Sequence, residues 1–151
     1  MLLTELLTPD RVRVPITASD RTGVLQELVR FLVERSGGDY HEALRAVEER
    51  EQVLSTGIGF GVAIPHGRTP AIPELSMVAG ITSKPVPFDA VDGEPVRLFF
   101  LIVGPEAAAG QHVKVLSRIA RLVRREPLRQ RLMEAATPAD FYHALADAEA
   151  H

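Results

Sequence analysis

Pro95-Val-Arg-Leu-Phe-Phe-Leu-Ile-Val103 is the stretch that decides the fold. From Leu98 to Val103 it is apolar without alternation. Side chains of a strand point alternately to its two faces, so an unbroken apolar run of this length reads as a strand covered on both sides. The turn-prone Val91-Asp-Gly-Glu94 introduces it and Gly104-Pro105 ends it. Working upstream, Met77 to Ile81 reads as a second strand. Arg11-Val-Arg-Val-Pro-Ile16 reads as a short third one, in which Pro15 belongs at an edge or strand end because it has no N–H for a ladder.

Helical spacing fills the remainder. Val24, Leu25, Leu28, Val29, Phe31 and Leu32 share a face, Thr17, Ser19 and Asp20 are candidate caps, and Gly37-Gly38 terminates the helix. Asp39 can cap a second helix from Tyr40 to Arg50, with Ala43, Leu44 and Val47 on one face and Glu48, Glu49 and Arg50 at the exit. From Gln111, the series Val113, Leu116, Ala120, Val123 predicts a core-facing helix with arginines outside. Another helix begins near Pro127. The last opens at Thr137, with Pro138 at the first helical position and Asp140 where a capping-box acid would stand. No repeat or low-complexity linker interrupts the chain, so the expectation is α/β: a single domain over residues 1–151 with a mixed β-sheet flanked by α-helices.

Composition narrows the function. Hydrophobic residues make up 46% of the 151, enough for one substantial core. The 17 basic and 20 acidic residues are interspersed and leave a net charge of −3, which argues against nucleic acid as the main partner. The Leu98–Val103 run is far too short to span a bilayer, and the Met-Leu-Leu-Thr-Glu start lacks the charged region of a signal peptide. A cytoplasmic protein without direct membrane insertion is expected. The absence of cysteine excludes disulfides, thiolate metal sites and a cysteine nucleophile.

The stretch Ser55 to Pro70 changes character: Gly57, Gly59 and Gly61 alternate before a short apolar run that stops at Pro65-His66-Gly67, which reads as loop, short strand, loop. Of the five histidines, His41, His143 and His151 lie in ordinary helical or terminal sequence and read as surface residues. His66 stands between a proline that stiffens the approach and a glycine that lets the backbone come close to a bound group. As an isolated tripeptide, Pro-His-Gly is more often an exposed loop histidine. Gly57, Gly59 and Gly61 lack the helix, lysine and acidic partner of a nucleotide site, and His66 with His112 lacks a third ligand at zinc spacing.

The longer string Thr56-Gly-Ile-Gly-Phe-Gly-Val-Ala-Ile-Pro-His-Gly67 resembles the signature around the phosphorylated histidine of the type-2 enzyme IIA domains of the bacterial phosphotransferase system, the fructose, mannitol and nitrogen-regulatory class. The opening Leu-Thr-Pro segment, the Leu98–Val103 strand, the Gln111-His112 pair leading a helix and the closing helix are arranged as in that class. The resemblance implies the type-2 IIA fold, His66 as phospho-acceptor, His112 as second active-site histidine and Arg50 as an active-site arginine, with neither metal nor cofactor. It implies a phosphoryl group received from the histidine-containing phosphocarrier protein HPr or its nitrogen-branch equivalent. That group would pass to a cysteine of a IIB domain working in trans, for uptake of a fructose- or mannitol-like sugar. The alternative is a nitrogen-regulatory protein whose phosphorylation state controls regulatory protein targets.

The residue types suit such chemistry. A neutral imidazole can attack phosphorus and leave again near neutral pH, and donors beside the transferring group stabilise charge on its three equatorial oxygens. Arg50 and His112 are candidates for that work, and Gly67, Arg68 and Thr56 could add phosphate-binding donors. Arg50 at a helix exit equally suits a solvated residue bonding the last carbonyls. The sequence departs from common relatives at Phe60, where many carry a small polar residue, and in the less polar loop Glu106-Ala-Ala-Ala-Gly110. Both segments are expected to border the docking surface.

Overall fold

In a computed structural model, which describes residues 1–150, the Leu98–Val103 run is the middle of β6 (Val96–Gly104), and every residue from Leu98 to Val103 is buried. The other strands are β1 (Val12–Ile16), β2 (Gly57–Gly59), β3 (Val62–Ala63), β4 (His66–Arg68) and β5 (Ser76–Val86). They form one mixed sheet in the order β1-β5-β6-β3-β2, with β4 also paired to β6. β5 runs antiparallel to β6, while β1 is parallel to β5 and both β3 and β4 are parallel to β6. Pro15 sits in β1 at the sheet edge, as its missing N–H requires.

Among the described residues five α-helices cover the sheet: α1 (Arg21–Ser36), α2 (Tyr40–Val53), α3 (Ala109–Leu122), α4 (Glu126–Met133) and α5 (Pro138–Ala150). Asp20 and Asp39 cap α1 and α2 by accepting from the amides of Gly23 and Glu42, and Thr137 caps α5 by accepting from the Asp140 amide at 3.1 Å. Residues of β6 alternate between two cores. Leu98, Phe100 and Ile102 face α3, α4 and α5, whereas Phe99, Leu101 and Val103 face α1 and α2. This double burial is why the run does not alternate in sequence.

Three expectations are corrected. The loop, short strand, loop reading of Ser55–Pro70 misses β2 and β4, which are too short and glycine-rich to show a period. The second strand extends well beyond Met77–Ile81, to Val86. The helix expected from Gln111 begins at Ala109, and its core face is displaced by one residue: His112, Val115, Ile119 and Leu122 are buried, whereas Val113 is 53% exposed; Val123, just past the helix end, is buried as expected. Both series have the same spacing, and the true one contains a histidine, which an apolar count passes over. The surface reading of His41 and His143 agrees with their exposure, and His151 lies outside the described residues.

Candidate functional site

β6 carries two short parallel strands along one edge. β3 pairs beside Leu98 and Phe99, the chain passes through Ile64-Pro65, and β4 resumes beside Ile102, Val103 and Gly104. The Pro65 carbonyl accepts from the Ile102 amide at 3.1 Å, so the interruption is itself tied to β6. His66 opens β4 opposite Ile102, half-buried and paired to the buried central strand.

The ring of His66 is oriented by its own chain. Its Nδ1 lies 2.9 Å from the Ile64 carbonyl oxygen. A carbonyl can only accept, so Nδ1 carries the proton and the lone pair resides on Nε2. Burial lowers the imidazole pKa from its ordinary value, and the charges of Arg50 and Arg68 act the same way, against the Ile64 carbonyl and Glu51, which favour protonation. The ring is therefore neutral at neutral pH, with a nucleophilic nitrogen.

His112, one turn into α3, brings its ring edge to face with that of His66, centroids 5.3 Å apart. It is 1% exposed, and neither of its ring nitrogens has a hydrogen-bond partner. Burial, then the charges of His66 and Arg68, push its pKa down to about 4. A buried donor and acceptor left unmade beside a nucleophile is costly in a resting protein and useful when an oxyanion arrives.

A cleft of about 310 Å³ opens on His66, lined also by Arg50, Thr56, Ile58, Ile64 and, from α3, Leu116, Ser117 and Ala120. Arg50, in the last turn of α2, donates from Nη1 to the Leu54 carbonyl at 2.8 Å. Its guanidinium thus serves the helix end, as one sequence reading has it, while lining the cleft. Arg68, exposed on β4, pairs with Glu106 at 3.4 Å and links this strand to the turn before α3. Gly67 packs flat on α2: a Cβ there would stand 3.0 Å from the Val47 nitrogen and 3.1 Å from the Ala46 carbonyl carbon. Thr56 is buried and spends both its donors on Glu51.

Glu51 is the residue that sequence reasoning missed. Within a charged Glu-Glu-Arg-Glu run it reads as part of a solvated helix exit. Yet Ala43, Val47 and Glu51 follow one another at intervals of a helical turn, and this i, i+4 succession was the available signal for its burial. Among the described residues no group of three or more His, Cys, Asp or Glu side chains could hold a metal, and no helix is long and apolar enough to cross a membrane.

A strand-borne imidazole whose Nε2 has no hydrogen-bond partner among the described residues, faced by a second neutral imidazole and with the Arg50 guanidinium lining the same cleft, is an arrangement whose chemistry suits an anionic group. The family is that of the phosphoenolpyruvate-dependent sugar phosphotransferase system, EIIA 2, whose description matches residues 5–148, and the chain belongs to it. It is a phosphotransferase of that system, a IIA component. It is 32% identical to a nitrogen regulatory protein of Bradyrhizobium diazoefficiens over 97% of this chain and 95% of that one. It is also 32% identical to a PTS system fructose-specific EIIA component of Haloferax volcanii, over 84% of this chain and 83% of the relative. The crystal structure of nitrogen regulatory protein IIA-Ntr from Neisseria meningitidis superposes with a TM-score of 0.88 at 31% identity, covering 95% of this chain and 98% of that one.

Proposed function

We propose that His66 accepts a phosphoryl group on Nε2 from the phosphohistidine of a histidine-containing phosphocarrier protein and passes it to a cysteine of a IIB domain, for uptake of a fructose- or mannitol-like sugar. The observation that carries this reading is the Nδ1 contact to the Ile64 carbonyl, which leaves Nε2 as the free nucleophile at the mouth of the cleft. In the loading step the Nε2 lone pair forms the new N–P bond while the donor's N–P bond breaks and its electrons return to the donor nitrogen. In unloading, a thiolate sulfur attacks phosphorus and the N–P electrons return to Nε2. In the transition state of each step His112 donates its single N–H to an equatorial oxygen, and Arg50, with Arg68, supplies positive charge. Gly67 and Thr56 act on this site through α2 and Glu51. The work takes place in the cytoplasm, where the donor is found.

The test is intact-mass measurement after incubation with phosphoenolpyruvate, enzyme I and the phosphocarrier protein. One added phosphoryl mass in the wild type and none in His66→Ala supports the reading, and no addition with active donors overturns it. A second reading, regulation by phosphorylation state, is favoured by the end-to-end match to the nitrogen regulatory proteins. Transport requires that the loaded protein discharge onto a IIB domain. Regulation requires instead that loading change its affinity for a regulatory target.

A further inference from the structure

Glu51 is a carboxylate 5% exposed, in the last turn of α2, with no basic side chain paired to it among the described residues. Burying such a charge costs several kcal/mol unless hydrogen bonds compensate. Here both bonds come from one residue: the Thr56 amide donates at 2.9 Å and the Thr56 hydroxyl at 2.5 Å. Thr56 is itself 4% exposed and lines the His66 cleft. Both carboxylate oxygens are used as acceptors, so the group holds the Thr56 loop and also places its charge behind a residue that lines the cleft.

The charge has a partner in the chemistry. A phosphoryl group on Nε2 meets cations from Arg50 and Arg68 and an N–H from His112, all of which tighten its hold. If attraction alone acted on it, the loaded state would be a trap, because binding that stabilises an intermediate raises the barrier for leaving it. A carrier needs loaded and unloaded forms of similar free energy. Glu51 acts on the His66 ring in the sense opposite to Arg50, its neighbour in sequence.

We propose that Glu51 is a positioning residue for phosphoryl exchange: clamped by Thr56 beside the cleft, its buried negative charge opposes the phosphoryl group on His66 and keeps that group transferable. No bond to Glu51 forms or breaks. This rests on His66 being the acceptor, and the experiment separates the two claims.

Wild type and Glu51→Gln are equilibrated with the phosphorylated phosphocarrier protein, and the phosphoprotein fractions are read by intact mass. Loading of the wild type tests the acceptor reading by itself. Given that loading, Glu51→Gln shifts the exchange equilibrium toward the phosphorylated IIA protein by about tenfold, slows discharge onto an acceptor and lowers the His66 imidazole pKa measured by NMR. An equilibrium constant and His66 titration equal to those of the wild type overturn the proposal. A second measurement needs no variant: in wild type the carbon resonance of the Glu51 carboxyl moves when His66 is phosphorylated. A resonance indifferent to loading overturns the proposal as well.

Discussion

The His66 and His112 rings meet at 72°, edge to face, one at the mouth of a cleft and the other sealed beneath it with both nitrogens unbonded. Such a pair sets stability against function at a single residue. His112→Leu removes a buried polar group that has no partner and is expected to raise the unfolding free energy by about 1 kcal/mol. The same change is expected to slow phosphoryl transfer by roughly 10²–10³-fold, since a donor to the transferring group is lost. Urea unfolding and single-turnover transfer check the two halves, and a variant both less stable and fully active contradicts them.

Acid should destabilise the resting protein through the same residue. The folded pKa of His112, about 4, lies below its ordinary value of 6.5, so between these values the unfolded chain binds more protons. The contribution is whole above about pH 6.5 and drains away as pH falls toward 4, on the order of 3 kcal/mol in all. His66, also lowered, adds in the same direction. Urea midpoints measured across this window should fall with acid in the wild type and fall less in His112→Leu. Below it both proteins lose stability together, as the Glu149 carboxyl is protonated. Despite its burial, Arg118 and the Leu3 and Thr4 amides hold that group low.

Gly67→Ala tests the seat of the site. The added methyl meets the α2 backbone at Ala46 and Val47, which cannot turn aside as a flexible side chain could. A loss of about 1–3 kcal/mol in stability is expected, with slower loading, because the displaced helix carries Arg50 and Glu51 away from His66. Thermal unfolding and loading rates should change together.

Phe60→Asn tests the rim. Phe60 and Gly61 form a two-residue hairpin turn between β2 and β3 with positive φ at both positions, 59° and 76°. Asparagine tolerates that conformation better than phenylalanine does. The gain is offset by loss of the Arg129 guanidinium stacked 4.5 Å from the ring centre. Stability should therefore change by less than about 1 kcal/mol. The ring is 53% exposed, and if this turn belongs to the docking surface, as expected from the sequence, KM for the protein donor should rise while intact-mass loading still goes to completion.

The central strand was legible from a local signal, a run too apolar for anything but double burial, and His66 drew attention through the long motif around it. Arg50 and His112 drew attention only through resemblance, since nothing local distinguishes them from other helical residues. The register of α3 was misread because a residue on its buried face, His112, is polar, against the rule by which cores are found. Glu51 was hidden for the same reason. The short strands β2 and β4 owe their existence to β6, the partner they pair with directly or through β3, and no window on their own residues contains that information.

The two-part edge of β6 separates what must stay from what can vary. His66 hangs from a buried beam shared by both cores, whereas Phe60 and the Glu106–Gly110 segment occupy connections whose side chains bury little. Substitutions in those connections disturb neither core, so their outline can change freely while the His66 ring keeps its place against the central strand.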